Sequence, residues 1–529
     1  MKLSLPTRVV LAFLAACVAG LVMVPVPAAQ AASYVPISGA GSTWSQVAVD
    51  AWRADVRASG VVVNYAGTGS TDGRSQYIQG TVDFANTEIP FQNPPEPGQQ
   101  AEVPSRPYAY LPIVAGGTSF MYNLTVGGVR VTDLRLSGPT LAKIFTGQIT
   151  RWNDPAITKD YGKTLPDIPI IPVVRSDGAG ASAQFTLYMQ SQAPSIYCPF
   201  IRSKLHLSGS ACPSVSFYPA FGSSKAQNGS NGVANYVSAS YGAGAIGYVE
   251  YAYAKRINFP VVSLLNKGGY FSQPTAGNVA VALTKAKINA NLTQNLQSVY
   301  TNPDPRAYPM SSYSYMVVPT TTAAPFNTDK GKTLSTFINY FLCTGQQKAD
   351  ILGYSPLPKN LVEAGFAQVK RIPGAVASPS ISQCNNPALN ILHSAPMPNK
   401  CMKLGSSCTV STTTGTTSPT TPNGTNPSST GTNPHGTTSG SGTPGSTNNG
   451  SPGSGSSPGA VDPLTGAPAG NTVTSAGGNL STAAPGTPVS LVAARTGQAK
   501  AIGWVVATML VLTVLVPPFL ISRNARRSR

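Results

Sequence analysis

Val173-Val174-Arg175-Ser176-Asp177-Gly178-Ala179-Gly180-Ala181-Ser182 is the stretch whose reading decides the fold. A β-branched run from Ile168 to Val174 reads as a strand that ends at Arg175. A glycine turn follows, and Phe185, Leu187, Tyr188 and Met189 then predict a helix. Glycine lets backbone approach a ligand closely, and serine or threonine caps the helix start. The unpaired N–H groups and the helix dipole favour an anion at that end. Two earlier stretches share the pattern, Gly39-Ala40-Gly41-Ser42-Thr43-Trp44 and Gly67-Thr68-Gly69-Ser70-Thr71-Asp72-Gly73. After the first, Trp44, Val47, Ala48 and Ala51 recur at i, i+3, i+4 and i+7, one helix face. A single turn of this kind usually does no more than cap a helix. Three, with an arginine beside the third, point to a converging oxyanion site.

The rest of the body alternates strands and helices. Val61 to Tyr65 reads as a strand leading into the second turn, and Thr81 to Ala85 as one that delivers Asn86-Thr87-Glu88 to its end. Ligands of open α/β sheets bind outside the carboxyl ends of the strands, so Glu88 is a candidate contact. A Pro- and Gln-rich loop spans Gln92 to Pro107. Apolar runs follow at Leu111 to Ala115 and Ser119 to Asn123, then a helix from Leu141 to Phe145 that ends at Gly147. This alternation predicts a mostly parallel sheet.

The two ends are of different composition. Lys2, Arg8 and the apolar run Val9 to Val26, followed by Ala29-Gln30-Ala31, read as a signal peptide over 1–31. Leu14-Ala15-Ala16-Cys17 also resembles a lipoprotein cleavage box, but the residues after Cys17 stay apolar. Residues 409–489 are Ser, Thr, Gly, Pro and Asn with almost no bulky apolar side chains, and Asp462 is the one acidic residue there. Such a segment cannot bury enough apolar surface to offset its ordering entropy, so it reads as a disordered stalk. As a random coil of about 80 residues it would span roughly 50 Å. Ile502 to Ile521 is 20 residues without a charge, the length of a transmembrane helix, and Arg523, Arg526, Arg527 and Arg529 follow in a basic tail, 522–529. Basic residues stay cytoplasmic, which puts the body outside the cell membrane on a single-pass anchor. No LPxTG-type sorting signal precedes the segment, so the anchor is read as retained.

The body, 32–408, carries 28 Lys and Arg against 17 Asp and Glu, a net +11 out of +18 for the chain. A moderately basic extracellular body suits anions or acidic wall polymers. No dense basic run with interleaved aromatics appears, which excludes nucleic acid. Apart from Cys17 there are six cysteines, Cys198, Cys212, Cys343, Cys384, Cys401 and Cys408. An even number outside the membrane suggests three disulfides among 15 possible pairings. Proximity favours Cys198–Cys212 and Cys401–Cys408, which leaves Cys343–Cys384. His206, His393 and His435 are scattered and no CxxC occurs, so neither a metal site nor a cofactor is expected.

In the order and spacing of its motifs the chain resembles the substrate-binding protein of the high-affinity phosphate ABC importer, the PstS type. The three glycine stretches resemble that family's phosphate loops. Thr146-Gly147-Gln148-Ile149-Thr150-Arg151-Trp152-Asn153-Asp154-Pro155-Ala156-Ile157 and Ala245-Ile246-Gly247-Tyr248-Val249-Glu250-Tyr251-Ala252-Tyr253-Ala254-Lys255 resemble its signatures in the second domain. Tyr308-Pro309-Met310 and Leu352 to Pro358 extend the likeness, which covers roughly Ser38 to Gly365. The resemblance implies an α/β, two-lobed type II periplasmic-binding-protein (venus-flytrap) fold. Lobe 1 would take about 32–108 and 272–408, and lobe 2 about 109–271. It further implies a monomer that binds inorganic phosphate through Thr43, the Trp44 backbone, Ser70, Glu88, Arg175, Gly180 and Ala181, and that hands it to a membrane permease. Three positions depart from the family pattern, which has Asp at Glu88, Ser at Ala179 and Thr at Ala181. A hydrogen bond to a charged group is worth about 1.5–3 kcal/mol, so two missing hydroxyls matter. The competing reading is a surface-anchored protein of the same fold used for sensing, adhesion or another oxyanion. An enzyme would need a metal cluster or an activated nucleophile, which the sequence does not offer.

Overall fold

The computed structural model describes residues 34–406 and two short strands, Ala460–Val461 and Pro468–Ala469. The signal peptide, the apolar segment Ile502 to Ile521, the basic tail and most of the stretch read as a stalk lie outside the described residues. The chain divides into two units, 1–472 and 473–529, and everything described belongs to the first. Among the described residues no helix is long and apolar enough to cross a membrane.

Two lobes are built on one eight-stranded sheet. Its strands, numbered in chain order, are β1 (Ile37–Gly41), β2 (Val63–Gly67), β3 (Phe84–Thr87), β4 (Tyr108–Tyr122), β5 (Ile171–Arg175), β6 (Lys225–Gln227), β7 (Ala245–Glu250) and β8 (Ser311–Pro319). Their order across the sheet is β2-β1-β3-β8-β4-β7-β5-β6. β1 runs parallel to β2 and β3 in lobe 1, and β5 parallel to β6 and β7 in lobe 2. Four of its seven pairings are parallel, as the alternation predicts, and the three at the centre of the sheet are antiparallel. β3 reaches β4 through a loop with no crossover helix, so the parallel pattern stops there. The two apolar runs Leu111 to Ala115 and Ser119 to Asn123 belong to one strand, β4. It pairs with β8 up to Gly117 and with β7 from Thr118, and so passes from one lobe to the other.

The elements that carry the glycine turns are the helices α1 (Gln46–Arg57), α2 (Ser70–Gln79), α3 (Gly180–Gln192) and α4 (Gly229–Ser238). α1 buries Ala48, Val49, Trp52 and Val56, a face turned by one position from the predicted one. Trp44 lies in the turn ahead of the helix and is not part of its register. Trp52 stacks on Phe341 with ring centroids 5.2 Å apart and donates its indole N–H to the Gly345 carbonyl at 3.0 Å. The main apolar cluster runs through both lobes, and a smaller one around Val173, Val233, Val237 and Val249 seats α4 on lobe 2. Disulfides join Cys198 to Cys212 and Cys343 to Cys384; Cys408 lies outside the described residues.

Candidate functional site

β1, β2 and β3 end on one side of lobe 1 and deliver Ser42, Thr43, Ser70 and Glu88 there. β5 and β6 do the same in lobe 2 with Arg175, Gly180 and Ser230. The two sets meet across the cleft. Ser70 Oγ donates to Glu88 Oε2 at 2.7 Å and accepts the Gly180 N–H at 3.1 Å, so α2 of one lobe faces the start of α3 of the other. Thr43 Oγ1 accepts the Ser230 N–H at 3.0 Å and lies 3.1 Å from its hydroxyl. The Thr71 N–H donates to the Gly178 carbonyl at 3.0 Å. Two glycines make this closeness possible. Gly69 has φ +98°, and a Cβ there would lie 2.5 Å from Asp177 Oδ2; a Cβ on Gly180 would collide with Glu88 Oε2.

Glu88 is 1% exposed. Its carboxylate accepts from Ser42 Oγ, from Ser70 and from Ser314 Oγ at 2.9 Å. Burial raises its pKa above the ordinary value; the three hydroxyls and the Arg175 guanidinium pull the other way without cancelling it. Arg175 is 3% exposed, and Asp177 clamps it with both carboxylate oxygens, Nε to Oδ1 at 2.7 Å and Nη2 to Oδ2. Its remaining nitrogen, Nη1, donates to Ser230 Oγ at 3.4 Å. Burial would raise the Asp177 pKa, but Arg175 and the Gly229 N–H at 2.9 Å outweigh it and hold the carboxyl below its usual range. The Tyr248 hydroxyl, which accepts the Arg175 N–H and pairs with Ser182 Oγ at 2.7 Å, is pushed up to about 12 by burial.

Of the residues expected at the site, Thr43, Ser70, Glu88, Arg175 and Gly180 lie together. Trp44 is beside them, but its backbone N–H is donated to Ser42 Oγ at 3.0 Å and its carbonyl accepts the Tyr354 hydroxyl at 2.7 Å. Ala181 is in the first turn of α3 and 1% exposed. A cleft with a fixed guanidinium, helix starts and a buried carboxylate acceptor is suited to an oxyanion that carries a proton. Among the described residues no group of three or more His, Cys, Asp or Glu is placed to hold a metal ion.

Residues 26–344 match the PBP superfamily domain. The phosphate-binding protein PstS of Xylella fastidiosa (strain Temecula1 / ATCC 700964) is 32% identical over 340 residues, 64% of this chain and 85% of that one. The chain belongs to the PstS-type family of the PBP superfamily. Another member, the phosphate-binding protein PstS of Pasteurella multocida (strain Pm70), is 31% identical over 339 residues, 63% of this chain and 90% of that one. A solved phosphate-binding protein of Stenotrophomonas maltophilia is 19% identical with a TM-score of 0.47, covering 67% of this chain and 98% of that one.

Within this PstS-type site, sequence reasoning missed Ser230, Ser314 and the clamping role of Asp177. Ser230 carried a signal, since Asn228-Gly229-Ser230 is a fourth glycine–serine stretch at the start of a helix. Ser314 carried almost none. It sits in the middle of β8 at a register break between Tyr313 and Tyr315, and such a bulge re-aims a side chain.

Proposed function

We propose that this chain is an extracytoplasmic phosphate-binding receptor that feeds the membrane permease of a phosphate ABC importer. The observation that carries the reading is the meeting of Glu88, Ser70, Gly180 and Arg175 across the cleft. Glu88 supplies an acceptor for a protonated phosphate oxygen, which sulfate lacks, and Arg175 presents a planar guanidinium. PstS-type relatives named phosphate-binding proteins at 32% and 31% identity support the same ligand. These relatives are binding proteins, which accords with a binder that catalyses no reaction. Ala179 and Ala181 support a second reading, a pocket of the same fold fitted to a different oxyanion.

The test is titration of the purified full-length protein with phosphate and with sulfate. Phosphate binding with sulfate excluded is expected; a protein that binds neither overturns the receptor reading, and one that prefers another oxyanion supports the second.

The reading includes a monomeric body held to the cell surface by the stalk, 409–489, and the transmembrane helix, 502–521. Its support is the uncharged apolar segment and the arginines that follow it. Protease added to intact cells should release the body by cutting the stalk. A body that stays protected, or that is found free in the medium without protease, would refute this topology.

A further inference from the structure

The loop between β3 and β4 reaches over to the other lobe. Its neck is closed by Glu102, whose carboxylate takes Arg74 Nε at 2.6 Å, Arg74 Nη2 at 2.9 Å and the Gln92 N–H at 2.8 Å. The Glu102 N–H returns to the Gln92 carbonyl at 2.9 Å. Arg74 is fully buried on α2, so the loop is fixed to the helix that presents Ser70. Glu96 lies beyond the neck, in a turn closed by the Gln99 N–H on its carbonyl at 2.9 Å. From there its carboxylate takes both donors of Ser216 in lobe 2, the N–H at 2.6 Å and the hydroxyl at 2.6 Å.

Ser216 is itself part of the anion wall. Its carbonyl accepts the Ala179 N–H at 3.0 Å, and Ala179 is the residue that caps α3 just ahead of Gly180. The preceding N–H, of Val215, donates to Thr186 Oγ1 on α3 at 3.0 Å. Ser216 is 1% exposed and its segment is bonded to α3 of lobe 2, whereas the loop that carries Glu96 is bonded to α2 of lobe 1. Beside this contact lies a cavity of about 380 Å³ lined from both lobes, by Arg74, Glu96, Glu102 and Phe217 among others. The loop is therefore not packed against lobe 2 there, and hydrogen bonds hold the contact.

We infer that Glu96 is a latch: by holding the N–H and hydroxyl of Ser216 it fixes lobe 1 to the Ala179 end of α3, and so sets how long the cleft stays closed on its anion. Opening the cleft carries Glu96 away from Ser216. Both bonds are charge-assisted, and both are absent from the open form. A contact made only after closure acts on the rate of release and leaves the rate of entry alone.

The experiment compares the full chain with Glu96→Ala and Glu96→Gln. Its kinetic arm rests on the receptor reading and uses inorganic phosphate as the probe. Glu96→Ala is expected to release phosphate about tenfold faster, with the association rate and the ligand-free melting temperature close to the parent's. Glu96→Gln keeps one acceptor for the Ser216 N–H and should fall between the two. The second arm needs no ligand, because the cleft samples its closed form without one and exchange reads that fraction. Amide hydrogen exchange at Ser216 and Ala179 should quicken in Glu96→Ala and recover in part in Glu96→Gln. Unchanged exchange at both amides overturns the latch, whether or not phosphate binds. Quickened exchange in a protein whose parent binds no phosphate upholds the latch and overturns the receptor reading. Release as slow as the parent's, in a protein that does bind phosphate, overturns the latch as a determinant of residence time.

Discussion

On the lobe 1 wall of the cleft a carboxylate, Glu88, is wrapped by three hydroxyls; on the lobe 2 wall a guanidinium, Arg175, is clamped by a carboxylate of its own. The difference lies in how each wall satisfies a buried charge. Lobe 1 uses neutral donors, so Glu88 keeps its charge at a cost and its pKa rises. Lobe 2 uses an opposite charge, so Asp177 ionises readily and Arg175 is held rigid. A ligand oxygen arriving at lobe 1 competes with Glu88 for the Ser42, Ser70 and Ser314 hydroxyls. One arriving at lobe 2 meets a guanidinium already aimed. The two walls should therefore respond differently to substitution.

The largest effect is expected from lobe 2. Arg175→Ala should lower phosphate affinity by a hundredfold or more, since removing one partner of a buried charged contact costs about 2–5 kcal/mol. It should also lower the melting temperature, because Asp177 is left buried and unpaired; breaking such a pair costs about 3–5 kcal/mol. The double variant Arg175→Ala/Asp177→Ala separates the two roles. Its melting temperature should recover most of the way while phosphate binding stays lost. Titration calorimetry and thermal unfolding without ligand check this, and restored binding in the double variant would show that Arg175 is not the anion contact.

Glu88→Gln probes lobe 1 and should act less strongly. Glutamine keeps the shape but adds an N–H donor, so the preference for phosphate over sulfate should narrow by about tenfold. Stability gives a second reading. The folded-state pKa of Glu88 lies above its ordinary 4.5, so the native protein holds this proton more tightly than the unfolded chain does. Stability from the protonated form is present below 4.5 and is lost as pH rises through the folded value. Asp177 has the opposite sign: its pKa lies below 3.8, and its contribution is lost only as pH falls through that lower value. Glu250, also raised by burial, is common to both proteins and cancels in their difference. Above pH 4.5 the parent should therefore lose unfolding free energy with pH more steeply than Glu88→Gln, measured by urea titration. Parallel curves would show that Glu88 does not carry the charge at that depth.

What the sequence revealed of this comparison depended on how local each feature is. The strand–glycine–helix turns are written in ten or fewer consecutive residues, so Ser70, Arg175 and Gly180 were legible, and family motifs in order carried the two-lobed fold. The clamp on Arg175 was within reach too, since Asp177 is only two residues on. The third hydroxyl on Glu88 was not. Ser314 comes 226 residues later, on a bulged strand, and only pairing of β8 with β3 and β4 brings it in. The same non-local pairing hid the antiparallel centre of the sheet, because Gly116 and Gly117 make β4 read as two runs. The Glu96 contact crosses 120 residues between two segments without regular structure, where periodicity offers no signal.

The smallest effects should come from the two alanines, and here the structure separates what the sequence treats alike. Ala179 is the N-cap of α3, with extended φ −111° and ψ 132°, and it makes no side-chain cap bond. Serine suits that backbone, and its oxygen can accept an α3 N–H while its proton points to a ligand. Ala179→Ser should raise stability by about 1 kcal/mol and tighten phosphate by up to about tenfold. Ala181 is as buried as Ala179, each 1% exposed, but it alone of the two belongs to the main apolar cluster. Threonine there adds a methyl to packed surroundings, at a cost of about 1–3 kcal/mol, before its hydroxyl contributes anything. Ala181→Thr should therefore lower the melting temperature, and the double variant should lie near the parent in stability. Titration with phosphate then decides what the missing hydroxyls mean. Tighter binding in Ala179→Ser identifies a phosphate pocket that lacks one donor. Binding that is unchanged or weaker in both single variants, with the melting temperatures moving as expected, identifies a wall already fitted to another oxyanion.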